Sequence, residues 1–227
     1  TLGALPARGE APAPLAGSDQ RRFPAPAEAP VRLTHTGPAN QALGFVAWPT
    51  RDQIGDRTEA RQLTILADVL QLRLNDEIRE KRGLAYSPNA GSTASDVFPG
   101  YGYLAVTAET PPEELTTLFQ AVDAIAADLR DRPVEADELN RARLPAVERL
   151  RRNQADNGYW LGQLSQAQSD PEALDQIRSN VQDLEAVTPA DIQRLAQAYL
   201  KADTAWRAEI VSSQPATAAA PAAPAAR

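Results

Sequence analysis

The sequence contains no cysteine, no methionine and a single histidine, His35, among its 227 residues. Without cysteine, disulfide bonds and thiolate metal sites are excluded. A catalytic zinc ion needs about three protein ligands, usually histidines with a carboxylate, so neither H-E-x-x-H nor the inverted H-x-x-E-H motif can exist in this chain. No serine lies in the nucleophile-elbow pattern of a serine hydrolase. We therefore expect no metal site, no cofactor and no complete catalytic apparatus in this chain alone.

Basic charge and long apolar runs are also scarce. The formal net charge is −7, which argues against nucleic-acid binding, because that binding draws on clustered Lys and Arg. No stretch reaches the roughly 20 apolar residues of a membrane-spanning helix. A length of 227 residues suits one sizeable domain with its own hydrophobic core. The Ala-, Arg- and Pro-rich composition is typical of a bacterium with a GC-rich genome, and it does not indicate a compartment.

Proline and alanine dominate both ends of the sequence, where large apolar residues are few. Such segments cannot bury enough surface to offset the entropy lost on ordering. We predict an inter-domain linker over residues 1–30, a folded domain over residues 31–213 and a flexible tail over residues 214–227. A linker at the start, with no initiator methionine, indicates a segment excised from a longer protein.

The folded part is predicted to contain two strands, a helix, two strands, several helices and a last strand. The predicted strands span residues 31–36, 42–48, 85–93, 101–109 and 205–211. The predicted helices span residues 58–78, a stretch after 110–113, residues 135–154, and two short stretches after Asp170 and Thr188. The Gly-Pro turn between the first two apolar runs predicts that those strands are neighbours. Strand pairs with segregated helices predict an α+β fold, a mostly antiparallel sheet packed against several helices in a two-layer sandwich.

Local signals mark the helix ends and one interruption. Gly83 is predicted to end the first helix. The segment Thr110-Pro111-Pro112-Glu113 is predicted to form a capping box with proline at the first helical position. Pro145 predicts a kink in the helix that contains it. The second helix has one apolar face, formed by Leu115, Leu118, Phe119, Val122, Ile125 and Leu129.

The remaining polar candidates have simple structural interpretations. We expect His35 to be a strand residue near a turn. The carboxylate pairs Glu113/Glu114 and Asp137/Glu138 lie at predicted helix starts, where they favour the positive end of the helix dipole rather than acid–base chemistry. Five arginines share one charged helix, where an ion-paired face is favoured over a surface for an acidic partner. They are Arg141, Arg143, Arg149, Arg151 and Arg152.

The segment LRLNDEIREKRGLAYS, residues 72–87, closes the long helix, turns at glycine and enters a strand. It resembles the R-E-K-x-G-L-A-Y-S signature in the second half of pitrilysin/insulinase-family zinc peptidases. The segments ALGFVAWP, TPPEEL, VEADELNRAR and VTPADIQRLAQAYL follow in the family's order. The helix in the zinc-helix position has no histidine, so the chain resembles the C-terminal, zinc-less domain of these enzymes.

The resemblance implies a division of labour between two similar α+β domains around a closed chamber. One domain carries the zinc, and the other supplies an arginine and a tyrosine to the substrate. Here these match Arg79 and Tyr86, with Arg82 as the less favoured arginine. Zinc is then expected in a partner domain, on the same polypeptide or a separate subunit, and the family analogy is compatible with a periplasmic location.

The function implied is the substrate-binding, non-zinc half of a bacterial metalloendopeptidase that degrades peptides or unfolded proteins. This chain alone is expected to be inactive. Two alternatives remain open. Arg79 can cap the helix C-terminus while Tyr86 belongs to the core, or the chain can be a catalytically inactive structural relative of the same fold, like the core subunits of respiratory complexes.

Overall fold

The computed structural model describes residues 13, 15–18, 20–81, 88–167 and 173–214, with residues 79–81, 166 and 173 described as backbone alone. The strands are β1 (Val31–His35), β2 (Ala42–Thr50), β3 (Asn89–Ala94), β4 (Gly102–Thr110) and β5 (Trp206–Ser212). The helices are α1 (Arg57–Leu74), α2 (Leu115–Asp131), α3 (Ala136–Gln154), α4 (Asn157–Ala167), α5 (Ala173–Glu185) and α6 (Pro189–Tyr199). The predicted α+β fold is confirmed.

All five strands form one open sheet in the order β1-β5-β2-β4-β3. Only the β1–β5 pair is parallel, and the other three pairs are antiparallel. The prediction that the first two strands are neighbours is therefore wrong, because β5 lies between them. The turn after β1 passes over the end of β5, where the Ser212 hydroxyl donates to the Gly37 carbonyl at 2.6 Å and the Ser213 amide donates to the His35 carbonyl at 2.8 Å.

One face of the sheet packs against the helices, and the other faces away from them. Residues on one face of β2 and β4, such as Val46, Trp48 and Leu104, are buried in a single core. Helices α1, α2, α3, α5 and α6 all contribute residues to this core. On the opposite face, Phe45 and Trp206 meet edge to face with ring centroids 5.7 Å apart. This arrangement gives two layers. The predicted apolar face of α2 is confirmed, since all six of its residues are buried.

The start of α2 differs from its prediction. Thr110 is the buried last residue of β4, paired with Ala42 in the ladder. A 3-10 turn, Pro112–Glu114, then leads into α2 with no side-chain cap hydrogen bond. The N-cap of this turn is Pro111 rather than Thr110, so the start of the helix differs from the predicted capping box.

Other helix predictions have mixed outcomes. Thr188 does form a capping box with Asp191 at the start of α6. α3 runs from Ala136 through Pro145 to Gln154. α4 was not predicted from the sequence, and the predicted stop at Gly83 lies outside the described residues. Among the described helices, none is long and apolar enough to cross a membrane.

Candidate functional site

The C-terminal end of α1 carries the segment that the sequence singles out. After Leu74 the helix widens into a π-helical turn, Asn75–Lys81. The side chain of Ile78 is fully buried and anchors this turn in the core. π-Helical turns are rare and are frequently found at functional sites. The backbone next to the family signature is thus both unusual and held by packing.

The two predicted substrate-binding residues fall at the limit of the described structure. The backbone of Arg79 lies in the π-helical turn. Its side chain lies outside the described residues, and so do Tyr86 and the alternative Arg82. Their role as a pair, and the alternative in which they cap the helix and fill the core, stay predictions.

The side chain of Gln71 forms hydrogen bonds on both sides of the signature segment, at the end of α1 and at the start of β3. The Gln71 side-chain amide donates to the Pro88 carbonyl at 2.8 Å and to Oδ1 of Asn75 at 3.1 Å. Its Oε1 accepts from the Ala90 amide at 2.7 Å. An amide side chain offers two donors and one carbonyl acceptor, and each of them is engaged here. Gln71 therefore fixes both ends of the family signature relative to each other.

A partly buried arginine fixes the last turn of α1 to two other helices. Arg73 binds Glu138 through two parallel bonds, Nε to Oε1 at 2.7 Å and Nη2 to Oε2 at 2.9 Å. Its Nη1 donates to Oδ2 of Asp128 at 2.6 Å. Bidentate arginine–carboxylate pairs are among the stronger hydrogen-bonded contacts in proteins. Glu138 lies in the first turn of α3, as predicted, and in addition holds α1 in place.

The arginines of α3 form the predicted ion-paired face. Arg151 pairs with Glu148 at 2.9 Å and with Glu185 of α5 at 2.6 Å. Arg143 donates to two carbonyls at the end of α5, those of Glu185 at 2.7 Å and Val187 at 2.9 Å. These contacts satisfy carbonyls that a helix end leaves without partners. Both arginines therefore join helices, which favours the structural interpretation.

Asp68 on α1 lies 3.8 Å from Arg149 of α3. Burial raises the pKa of Asp68 above its ordinary value, and the charge of Arg149 offsets this only in part. A folded-state pKa above the unfolded value means that the charged form weakens the fold at neutral pH. We expect Asp68→Asn to raise the free energy of unfolding at pH 7, and the gain to disappear as pH falls below the ordinary value of 3.8.

Urea unfolding at a series of pH values checks this prediction. Asp137→Asn is the matched control, because its side chain is 92% exposed and also lies near an arginine, Arg141. A loss of stability in Asp68→Asn at pH 7 would show that the contact with Arg149 outweighs the cost of burial.

The only histidine is used within a turn. The Gly37 amide donates to Nδ1 of His35 at 2.9 Å. Because Nδ1 accepts, Nε2 carries the proton and donates to the Gln41 carbonyl at 3.0 Å. Within the described part of the chain, no three His, Cys, Asp or Glu residues are placed to hold a metal ion. A catalytic zinc ion does not fit the donor set of these described residues.

The chain is similar to known proteins over most of its length. The family described as "Peptidase M16 inactive domain" matches residues 1–144. An uncharacterized zinc protease from Mycobacterium leprae is 27% identical over 137 residues, which are 60% of this chain and 30% of that protein. The peptidase M16 inactive domain from Pseudomonas fluorescens superposes with a TM-score of 0.65 at 20% identity, over 86% of this chain and 48% of that one. A conserved protein from Enterococcus faecalis V583 gives a TM-score of 0.68 at 17% identity, over 85% and 44%.

Because these solved structures share at most 20% sequence identity with the chain, their likeness establishes the fold alone. The chain spans less than half the length of each of these relatives. The family match extends over more than half of the chain and includes the signature at the end of α1. The chain belongs to the family of peptidase M16 inactive domains, which form part of zinc protease-like proteins of the pitrilysin/insulinase type.

Proposed function

We propose that this chain is the substrate-binding, non-zinc half of a bacterial zinc metalloendopeptidase that degrades peptides or unfolded proteins. Its partner is a zinc-bearing domain, on the same polypeptide or a separate subunit. The observation that carries the proposal is membership of an inactive-domain family in a chain whose single histidine is bonded within a turn. Such a domain contributes to hydrolysis through the substrate rather than through the metal.

The proposed domain limits are residues 31–213, with residues 1–30 as a linker and residues 214–227 as a tail. Within the proposed linker, the Phe23 ring lies 5.9 Å from that of Tyr103 on β4. The guanidinium of Arg21 lies 5.0 Å from the centre of the Tyr101 ring. These contacts lead the linker along the face of the sheet that the helices leave open.

Arg79 and Tyr86 are the proposed substrate-binding residues. A guanidinium and a phenol both donate hydrogen bonds, so they suit the carbonyls of a bound peptide and the oxyanion that develops when a peptide bond is attacked. Support comes from the π-helical turn that contains the backbone of Arg79, from Gln71, which bonds to Asn75 at the start of that turn, and from Arg73, which joins the end of α1 to α2 and α3. A backbone that is fixed before the substrate binds loses little entropy when the substrate binds.

The test measures hydrolysis of a quenched fluorescent peptide with added zinc. We expect no hydrolysis by this chain alone, and hydrolysis when it is mixed with its zinc-bearing domain. Arg79→Ala is expected to lower the rate of the mixture by about ten- to a hundredfold, the value of a charged hydrogen bond made in the transition state. Tyr86→Phe removes a neutral donor and is expected to lower the rate less.

Arg152→Ala is the control, because Arg152 is an exposed arginine on another helix. Zinc-dependent cleavage by the chain alone would overturn the proposal. If the two domains associate, as judged by size-exclusion chromatography, but the mixture stays inactive, the chain is a structural relative that has lost the peptidase role.

A further inference from the structure

A polar cavity of about 550 Å³ lies well away from the family signature. It is bounded by the first half of α1, the end of β3, α4 and α5. The side chains that line it are mainly amides and hydroxyls, among them Gln53, Gln163, Gln176, Asn180, Thr64 and Ser92. We call this the amide cavity. Its walls offer many hydrogen-bonding groups and little apolar surface.

Two polar atoms in its wall are buried and lack a partner. They are Oγ of Ser92 and Oε1 of Gln176, for which the described part of the chain supplies no hydrogen bond. Buried polar atoms in folded proteins nearly always have a partner, and leaving one without a partner is destabilising. Both atoms belong to residues that line the cavity. Both atoms are closed off from solvent, so each side chain has to rotate toward the cavity before an N–H group of a bound molecule can reach it.

The backbone of Gln176 is fixed before any molecule binds. Its carbonyl accepts from Nη2 of Arg61 at 3.0 Å and from the Ser179 hydroxyl at 3.3 Å. Arg61 also pairs with Asp183, so α1 and α5 are locked together beside the cavity. Ser92 is equally restrained, because it lies in the β3–β4 ladder opposite Leu104. The two atoms that lack partners therefore sit on rigid elements.

The charge of the cavity disfavours a phosphate or another anion. The guanidinium of Arg61 already binds Asp183, Ser179 and the Gln176 carbonyl. The other charged groups of the lining, Arg57 and Asp96, have opposite signs. Amide side chains donate and accept equally, which matches the alternating N–H and C=O groups of a polypeptide. The lining therefore suits a neutral main chain, whatever its side chains.

α1 and β3 connect the amide cavity with the π-helical turn. α1 leads from the cavity to that turn, and β3 leads back from the signature segment to the cavity. Thr64 precedes Leu74 by ten residues, about 15 Å at the rise of an α-helix. Ser92 follows Pro88 by four residues, about 13 Å along a strand. An extended peptide covers such a distance with about four or five residues. One unfolded chain is long enough to reach both places.

The geometry points to the amide cavity as a second binding site for the main chain of an unfolded peptide, several residues from the part held by Arg79 and Tyr86. This inference rests on the proposed function. It predicts that affinity rises with peptide length and depends little on sequence, because the cavity binds backbone groups. Short peptides reach only one of the two places.

The test measures binding of fluorescein-labelled Gly/Ser/Ala peptides to the full chain by fluorescence anisotropy. Peptides of about three and about twelve residues fall below and above the distance between the two places. We expect the longer peptide to bind more tightly. Gln176→Leu and Ser92→Ala are each expected to weaken its binding about three- to tenfold, the value of one hydrogen bond, and to leave the shorter peptide unaffected.

Gln62→Leu is the matched control, since Gln62 lies next to Arg61 on α1 but binds Arg194 and does not line the cavity. Circular dichroism melts establish that each variant is folded. If both cavity variants bind the longer peptide normally while Arg79→Ala weakens it, the cavity holds water only and the proposed function stands. If Arg79→Ala has no effect and the cavity variants do, the role of Arg79 fails instead. No binding of either peptide overturns this inference and leaves the hydrolysis assay to judge the proposed function.

Discussion

Gly102→Ala is expected to lower the free energy of unfolding by about 3 kcal/mol, at the upper end of the range for overpacking a site. Gly102 is the buried first residue of β4, paired with Thr50 on one side and Ala94 on the other. A Cβ atom there would lie 2.1 Å from the Arg51 carbonyl oxygen and 2.8 Å from Oγ1 of Thr50. Because the nearer contact is backbone, β2 or β4 has to shift. Urea unfolding measures the loss.

Gly91→Ala is the matched control in the neighbouring strand. A Cβ atom at Gly91 meets no atom within 4 Å. Alanine restricts the unfolded chain more than glycine does, so this change is expected to be neutral or to stabilise by up to about 1 kcal/mol. If the free energy of unfolding of Gly102→Ala lies within about 0.5 kcal/mol of that of the parent, the start of β4 accommodates a methyl group at little cost.

Elements with a strong period were predictable from the sequence. The leucine spacing of α1 and the apolar face of α2 identify those helices because each is buried against several neighbours. β2 and β4 were predicted as strands because each lies next to a turn that contains glycine and proline, and the structure buries mainly one face of each strand. α4 was missed because it contains Gly158 and Gly162 and its large apolar residues are partly exposed, so its period is weak.

Strand partners and helix caps depended on contacts that local sequence does not encode. β1 is followed by a turn and then by β2, yet it pairs with β5, which comes from the far end of the domain. A turn signal predicts a reversal of direction without naming the strand that fills the space. Thr110 begins a good capping sequence, but it is the last residue of β4, and the N-cap position falls on Pro111.

The candidate site shows the same division. Arg79 and Tyr86 were identified from a short contiguous motif. Gln71 and Arg73, which hold that motif, were not identified, because nothing in a helix sequence distinguishes a buried arginine from an exposed one. The partners of Arg73 lie on α2 and α3, 55 and 65 residues further along the chain. The two atoms of the amide cavity that lack partners likewise become visible only when β3 and α5 are brought together.

Arg73→Met is expected to lower the free energy of unfolding by about 3 kcal/mol. Methionine keeps the apolar stem of the side chain but removes the guanidinium, so Glu138 loses its arginine partner and Asp128 keeps Arg132. The side chains of Arg73 and Glu138 are each only 18% exposed, and a carboxylate left alone in such a place is costly. The end of α1 also loses its link to α2 and α3. We therefore expect the hydrolysis rate of the two-domain mixture to fall as well.

Arg132→Met is the control that shares a partner with Arg73. Arg132 also pairs with Asp128, but its side chain is 76% exposed, and exposed pairs contribute about 0–1 kcal/mol. The double variant Arg73→Met/Glu138→Leu tests the cause, because it removes the unpaired carboxylate together with the arginine. If the loss arises from that buried charge, the double variant is more stable than Arg73→Met alone, since apolar replacements of a buried ion pair are often tolerated. If the double variant is less stable than the single one, the loss arises from packing at the end of α1. The ion pair is then not what holds the π-helical turn.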